Sequence, residues 1–246
     1  MIDIRVAGLK QKPAVLDVLS GERIDQAVAN ALNYTAYDLR ERLRNEMRAV
    51  FDRPTLYTLN SLRVEKATPQ SLSARILIPG EASDTKQAPT RWLAPQVYAG
   101  DRTDKRSEYH LRQRSILPPG KFMVPGKGVK LDRHGNLPKG TLTQILSGIR
   151  AYSDLGYEAN ASRSKRSQAK GNARRFFVLR EGGQAIGVAE RVRWGKGSRN
   201  DIRMVLAFVK KPSYAQRLDF FDIAQAFVEQ ALPERLERAI ARALAV

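Results

Sequence analysis

ERIDQAVANALNYTAYDLRERLRNEMRAVF, residues 22–51, decides the architecture. Ile24, Val28, Ala31, Leu32, Thr35, Leu39, Leu43, Met47 and Val50 recur at steps of three and four, which places them on one stripe of a helix. Asp38, Arg40, Glu41, Arg44, Asn45, Glu46 and Arg48 fall largely on the opposite side. At 1.5 Å per residue the helix is roughly 40 Å long. A helix of that length with one apolar stripe needs a sheet or other helices to cover it, because propensity alone does not hold it in water. The Asp52-Arg53-Pro54 sequence stops it.

Working outward, residues 1–9 alternate apolar and polar side chains as a short strand does. Residues 62–67 and 73–78 read as a strand pair joined by a hairpin at Thr68-Pro69-Gln70-Ser71. Residues 94–97 suggest a short strand, 102–117 a basic helix, and 117–140 turn after turn of Pro and Gly. Residues 141–152 regain helical spacing, and 160–172, polar, basic and small, read as a mobile arm. Three strands follow at 175–179, 185–192 and 202–209. A last helix carries Phe221, Ala224, Phe227, Val228, Ala231 and Leu232, then Leu236, Ile240 and Leu244. Pro233 either kinks that helix or opens a second one.

The chain has 246 residues, 42% of them hydrophobic, and a net charge of +18. So much charge of one sign implies a polyanion or acidic protein neighbours. Between residues 100 and 175 there are 17 Lys and Arg against 6 Asp and Glu. Cysteine is absent, which excludes disulfides, thiolate metal sites and a cysteine nucleophile. No apolar run approaches the ~18 residues that span a bilayer, and the start MIDIRVAGLK lacks a signal-peptide layout. A soluble, cytosolically made protein is expected.

Catalytic patterns are missing. GKFMVPGKG at 120–128 is one residue too long for a phosphate loop, and Gly128 stands where Ser or Thr should meet magnesium. No strand leads through a Gly-x-Gly-x-x-Gly fingerprint into a helix. His134, in Asp132-Arg133-His134-Gly135-Asn136, reads as a turn residue more simply than as a base, and His110 lies elsewhere in the chain. No serine sits in a nucleophile elbow. Neither an enzyme nor a cofactor is expected; a hydrolase built on Asp132 and His134 would have to show a turnover lost in H134A. Trp92, Tyr98, Tyr109, Phe122, Tyr152, Tyr157 and Trp194 interleave with basic residues. They suit core or interface anchors better than base stacking.

Two ends of the chain resemble phage tail-completion (neck) proteins, the group that includes the minor tail protein Z family of lambda-like phages. The first is AVANALNYTAYDLR at 27–40, with FDRPT at 51–55 and LNSL at 59–62. The second is FVKKPSY at 208–214, FFD at 220–222 and ALPERL at 231–236. The middle, 117–136 with TQIL at 143–146, is similar to phage and prophage structural proteins of like length. The insertion between the first strand pair and the C-terminal strands departs from the protein Z pattern, and no catalytic residue carries over. The resemblance implies a virion structural protein at the head–tail junction, assembled in the host cytoplasm. It implies a closed homo-oligomeric ring, about six or twelve copies, around the DNA channel. Portal, adaptor and tail proteins would be its neighbours and double-stranded DNA would pass through it.

The expected fold is α+β: long N- and C-terminal helices on one mostly antiparallel sheet, with a large basic, loop-rich insertion. The core would be 1–80 with 174–246, and the insertion 81–173. The sheet would join 62–67, 73–78, 176–179, 185–192 and 202–209. Candidate residues facing DNA or partners are Lys121, Lys127, Lys130, Arg133, Arg163, Lys165, Arg166, Lys170, Arg174 and Arg175. Candidates for contact between subunits are Arg40, Arg44, Arg48, Trp92, Phe122 and Trp194. The alternative is a basic nucleic-acid-binding protein without sequence specificity.

Overall fold

The computed structural model describes residues 2–5, 21–80, 88–151, 165, 175–192 and 201–245. In chain order the elements are β1 (Ile2–Arg5), α1 (Glu22–Val50), α2 (Leu56–Leu59), β2 (Arg63–Glu65), β3 (Ser73–Leu77), α3 (Thr90–Tyr98), β4 (Gly100–Asp101), α4 (Arg106–Gln113) and β5 (Lys121–Pro125). They continue with α5 (Lys139–Gly148), β6 (Phe176–Glu181), β7 (Gln184–Val192), β8 (Asp201–Lys210), β9 (Ser213–Tyr214) and α6 (Phe220–Leu244). These form two compact units: Met1–Gly100 with Ala215–Val246, and Asp101–Tyr214. The second is nested in the sequence of the first.

In the first unit the stripe on α1 buries Val28, Ala31, Leu32, Leu39, Leu43 and Met47 almost completely. Each fully buried Leu or Met contributes roughly 1.5–3 kcal/mol. The cover is α6, through Phe220, Ala224 and Leu232, and a three-stranded antiparallel sheet in the order β1-β3-β2, through Ala74 and Ile76. One polar pair fixes the hairpin on the helix. Asn33 Nδ2 donates to the Ala67 carbonyl at 3.0 Å, and its Oδ1 accepts from the Ala67 N–H at 2.7 Å. Arg235 reaches back to Asp38 at 2.6 Å and ties α6 to α1. The final helix runs unbroken through Pro233.

The second unit holds a four-stranded antiparallel sheet in the order β5-β8-β7-β6. Gly182 and Gly183, both at positive φ (54° and 84°), make the two-residue turn between β6 and β7. Met123, Phe176, Val188, Leu206 and Phe208 pack with Leu111 of α4 and Ile145 and Leu146 of α5.

The α+β class holds, with antiparallel sheets and a long helix near each end. The single five-stranded sheet does not. The two strands from 62–78 and the three from 176–210 lie in separate sheets. The reason is β5, which pairs with β8 from Lys121↔Lys210 to Pro125↔Leu206 and draws the C-terminal strands to the middle of the chain. Residues 94–97 are helical within α3 rather than a strand, and the basic helix is shorter than expected, α4 ending before Ser115 at φ 52°. The arm at 160–172 lies outside the described residues except Lys165, which is exposed. Among the described residues no helix is long and apolar enough to cross a membrane.

Candidate polyanion-facing surface

Charge is segregated between the units. Residues 101–214 contain 25 Lys and Arg and 9 Asp and Glu, so +16 of the +18 belongs to the second unit. Cations of the first unit meet acids: Arg40 and Arg44 pair with Glu41, Arg42 with Glu46, Arg53 with Asp52, Arg75 with Glu65, Arg235 with Asp38 and Arg238 with Glu234. Hydrogen bonds from Arg44 and Arg40 hold the Glu41 carboxyl below its ordinary range.

In the second unit Asp101 pairs with Lys211 and Asp104 with Arg112, and two further acids are buried among their partners. Glu108 is fully buried and accepts from both terminal nitrogens of Arg102 and from the backbone N–H groups of Lys105 and Met123, each of these two at 2.7 Å. Burial raises its pKa, but the Arg102 bond and the two backbone bonds outweigh that and the net shift is downward. Arg102 also donates to the Met123 carbonyl at 3.2 Å and lies over the Phe122 ring at 4.8 Å. Met123 stands opposite Phe208 in the ladder, and its outward N–H and C=O are taken by this ion pair. A salt bridge thus occupies part of the free edge of β5, where an open edge invites another strand. Glu190, 4% exposed, lies between Arg175 and Arg203. Desolvation works against its ionised form; the two guanidiniums prevail and lower its pKa.

The loop after β5 is built on two close approaches. Gly126 N–H donates to the Val205 carbonyl and Gly128 N–H to the Met204 carbonyl, each at 2.9 Å. A Cβ on Gly126 would sit 2.3 Å from the Met204 oxygen, and one on Gly128 2.7 Å from Arg203 Cβ. These glycines extend the strand pairing past β5; the phosphate-loop outline is a packing pattern. Val129 and Leu137 then rest on the core of the unit. Between them Asp132 Oδ1 accepts the N–H groups of His134 and Asn136 at 2.8 and 2.9 Å, while Asp132 and Asn136 also pair through their backbones. Those backbone bonds lower the Asp132 pKa. Asp132 is therefore a turn-forming carboxylate, and Arg133 Nε donates to His134 Nε2 at 3.0 Å.

The structure distributes the sequence candidates as follows. Lys127, Lys130 and Arg133 are exposed on this loop, with Lys139 at its end. Lys121 is half-buried at the opposite end of β5, facing Lys210 across the ladder. Arg175 is committed to Glu190. Arg163, Arg166, Lys170, Arg174 and Trp194 lie outside the described residues. Of the proposed subunit contacts, Phe122 is 6% exposed beneath Arg102 and Arg112 and belongs to the interior of the second unit. Arg40 and Arg44 are partly buried and held by Glu41, Arg44 also by Asn60, and Arg48 donates to Asn45. Trp92 is half-buried against Tyr57, ring centroids 5.7 Å apart.

Sequence reading missed the exposed apolar residues Tyr34, Leu56 and Tyr57 of the first unit; Tyr98, Phe221 and Leu244, which it named as anchors or as part of an apolar stripe, are exposed as well. Tyr98 and Phe221 touch, with centroids 5.8 Å apart. It also missed a groove of about 1010 Å³ between α1 and α6, lined by Ala27, Ala31, Ala239 and Ala243 with Arg23 and Arg242 at its sides. Among the described residues no cluster of three His, Asp or Glu could hold a metal ion. No protein-family model matches the chain, nor does any curated protein or solved structure.

Proposed function

We propose that this chain is a virion structural protein of a tailed bacteriophage, a tail-completion or neck protein that joins tail to head as a ring of identical subunits around the DNA channel. The observation that carries the reading is the separation of roles by charge. A nearly neutral unit with self-satisfied ion pairs suits assembly, and a unit holding +16 of the +18 suits a polyanion or the acidic faces of portal and tail proteins. The surfaces of the first unit support repetition of copies. The groove flanks the N-terminal half of α1, through Glu22 to Asp38. At the other end, α2 follows α1 closely and Asn60 bonds Arg44, which brings Leu56 and Tyr57 there. Two different surfaces at opposite ends of a helix about 40 Å long favour a head-to-tail contact, which closes into a ring when the rotation permits.

The test is assembly. Purified protein should form closed rings by electron microscopy and restore the joining of separately prepared heads and tails. A protein that stays monomeric at high concentration and copurifies with no head or tail component would refute the reading. The same charge favours a second reading, a nucleic-acid-binding protein without sequence specificity. That protein would bind free DNA tightly, and replacing Lys165, Arg166, Lys170, Arg174 and Arg175 by Ala would weaken binding in proportion, without any joining activity.

A further inference from the structure

We infer that the loop 126–139 is a preorganised contact for the phosphate backbone of duplex DNA, with Lys127, Lys130, Arg133 and Lys139 as its cations. The inference rests on the polyanion-facing half of the proposed function and names the partner of that unit. Three observations carry it. The four cations are exposed, and none makes an ion pair among the described residues, whereas arginines of the first unit repeatedly do. The one acid of the loop, Asp132, is held by the backbone N–H groups of its own turn and forms no ion pair among the described residues, so against its single charge, which Arg133 feels, the loop keeps four cations. The loop is held in place by Gly126 and Gly128 on β8 and by Val129 and Leu137 on the core, so little ordering entropy is lost on contact.

The chemistry chooses the partner. A protein face needs apolar or aromatic anchors, and here Leu131 is the one large hydrophobic residue that is exposed. Single-stranded nucleic acid needs aromatic platforms, and residues 126–139 contain no Phe, Tyr or Trp. Cations without anchors fit a duplex backbone, where each neutralised phosphate releases counterion whatever the base sequence.

The experiment measures fluorescence anisotropy of the full-length protein on a labelled 30-base-pair duplex across salt. The K127Q/K130Q/R133Q/K139Q variant is compared with wild type. If each cation meets one phosphate, the slope of log affinity against log salt falls by about 3.6, so wild type loses roughly 150-fold more affinity than the variant between 50 and 200 mM salt. A slope unchanged within one unit overturns the inference, as does binding to polyglutamate or to the single strand that depends on these residues as strongly as duplex binding does. If the quadruple variant melts earlier than wild type, K130Q and R133Q singly should each lower the slope by about 0.9. Rings that form and join heads to tails while the slope stays put would sink this contact alone; a reduced slope without rings would sink the neck reading alone.

Discussion

Glu108 has no exposure to solvent and four donors around it, two from Arg102 and one each from the Lys105 and Met123 backbones. Removing its charge in E108Q leaves the Arg102 guanidinium buried without a counter-charge. The expected cost is about 3–5 kcal/mol, read by chemical denaturation. The R102M/E108L double variant should lose much less, since it removes both charges together; equal losses would mean that the ion pair is not what stabilises this corner. The pH dependence has a definite sign. The folded-state pKa of Glu108 lies below the unfolded one, so its contribution is present above the ordinary glutamate value of about 4.3 and disappears as pH falls through the lower, folded pKa. Glu190 acts in the same direction. Nothing in the sequence marked Glu108: six residues separate it from Arg102 and fifteen from Met123, and only the fold brings them together.

At the scale of elements, glycines divide into those the packing demands and those it does not. Gly126→Ala should destabilise the second unit strongly, because its Cβ would fall 2.3 Å from the Met204 oxygen and the strand extension would have to part. Gly140→Ala, inside α5 with nothing within 4 Å, should raise stability by up to about 1 kcal/mol through helix propensity. Thermal melts of the two variants should move in opposite directions. The same physics explains which elements were legible. The first helix was, because its stripe repeats for eight turns and one face is buried throughout. Strand β5, KFMVP, was not. Its Phe122 is buried beneath arginines and its Met123 in the core, so both faces are covered and no alternation survives. Pro-Pro-Gly before it and Pro-Gly-Lys-Gly after it also read as turns. In α3 the buried residues Leu93, Pro95 and Val97 imitate the period of a strand, and Pro95 argues against a helix that forms nonetheless. The hairpins at 62–78 and 176–192 were legible because local turn signals fix them; which sheet each joins depends on a partner far along the chain.

For the whole molecule, the division of charge predicts an order of events in acid. The buried carboxylates with lowered pKa, Glu108 and Glu190, both belong to the unit that already carries +16. Protonating them removes two internal counter-charges where self-repulsion is greatest. Hydrogen exchange followed by peptide should therefore show residues 101–151 and 176–210 opening at a higher pH than 22–78; simultaneous opening would mean that the units are not independently stable. The proposed ring makes a separate prediction for the other unit. L56A/Y57A removes two exposed apolar side chains from one of the two surfaces proposed to meet between copies. It should lower ring assembly by light scattering while leaving the DNA salt slope intact. Of the candidate surface, the sequence marks Lys127, Lys130 and Arg133 as basic residues in a Pro- and Gly-rich stretch, but no periodic pattern announces the turn in which backbone N–H groups hold Asp132. The nested order of the chain has a consequence for biosynthesis. The first unit takes Leu218 from the segment before α6, and Phe220, Ala224 and Leu232 from α6 itself, all made after the whole second unit has been synthesised. The stripe on α1 must therefore wait, incompletely covered, through the translation of more than a hundred residues, an interval in which a chaperone has something to hold.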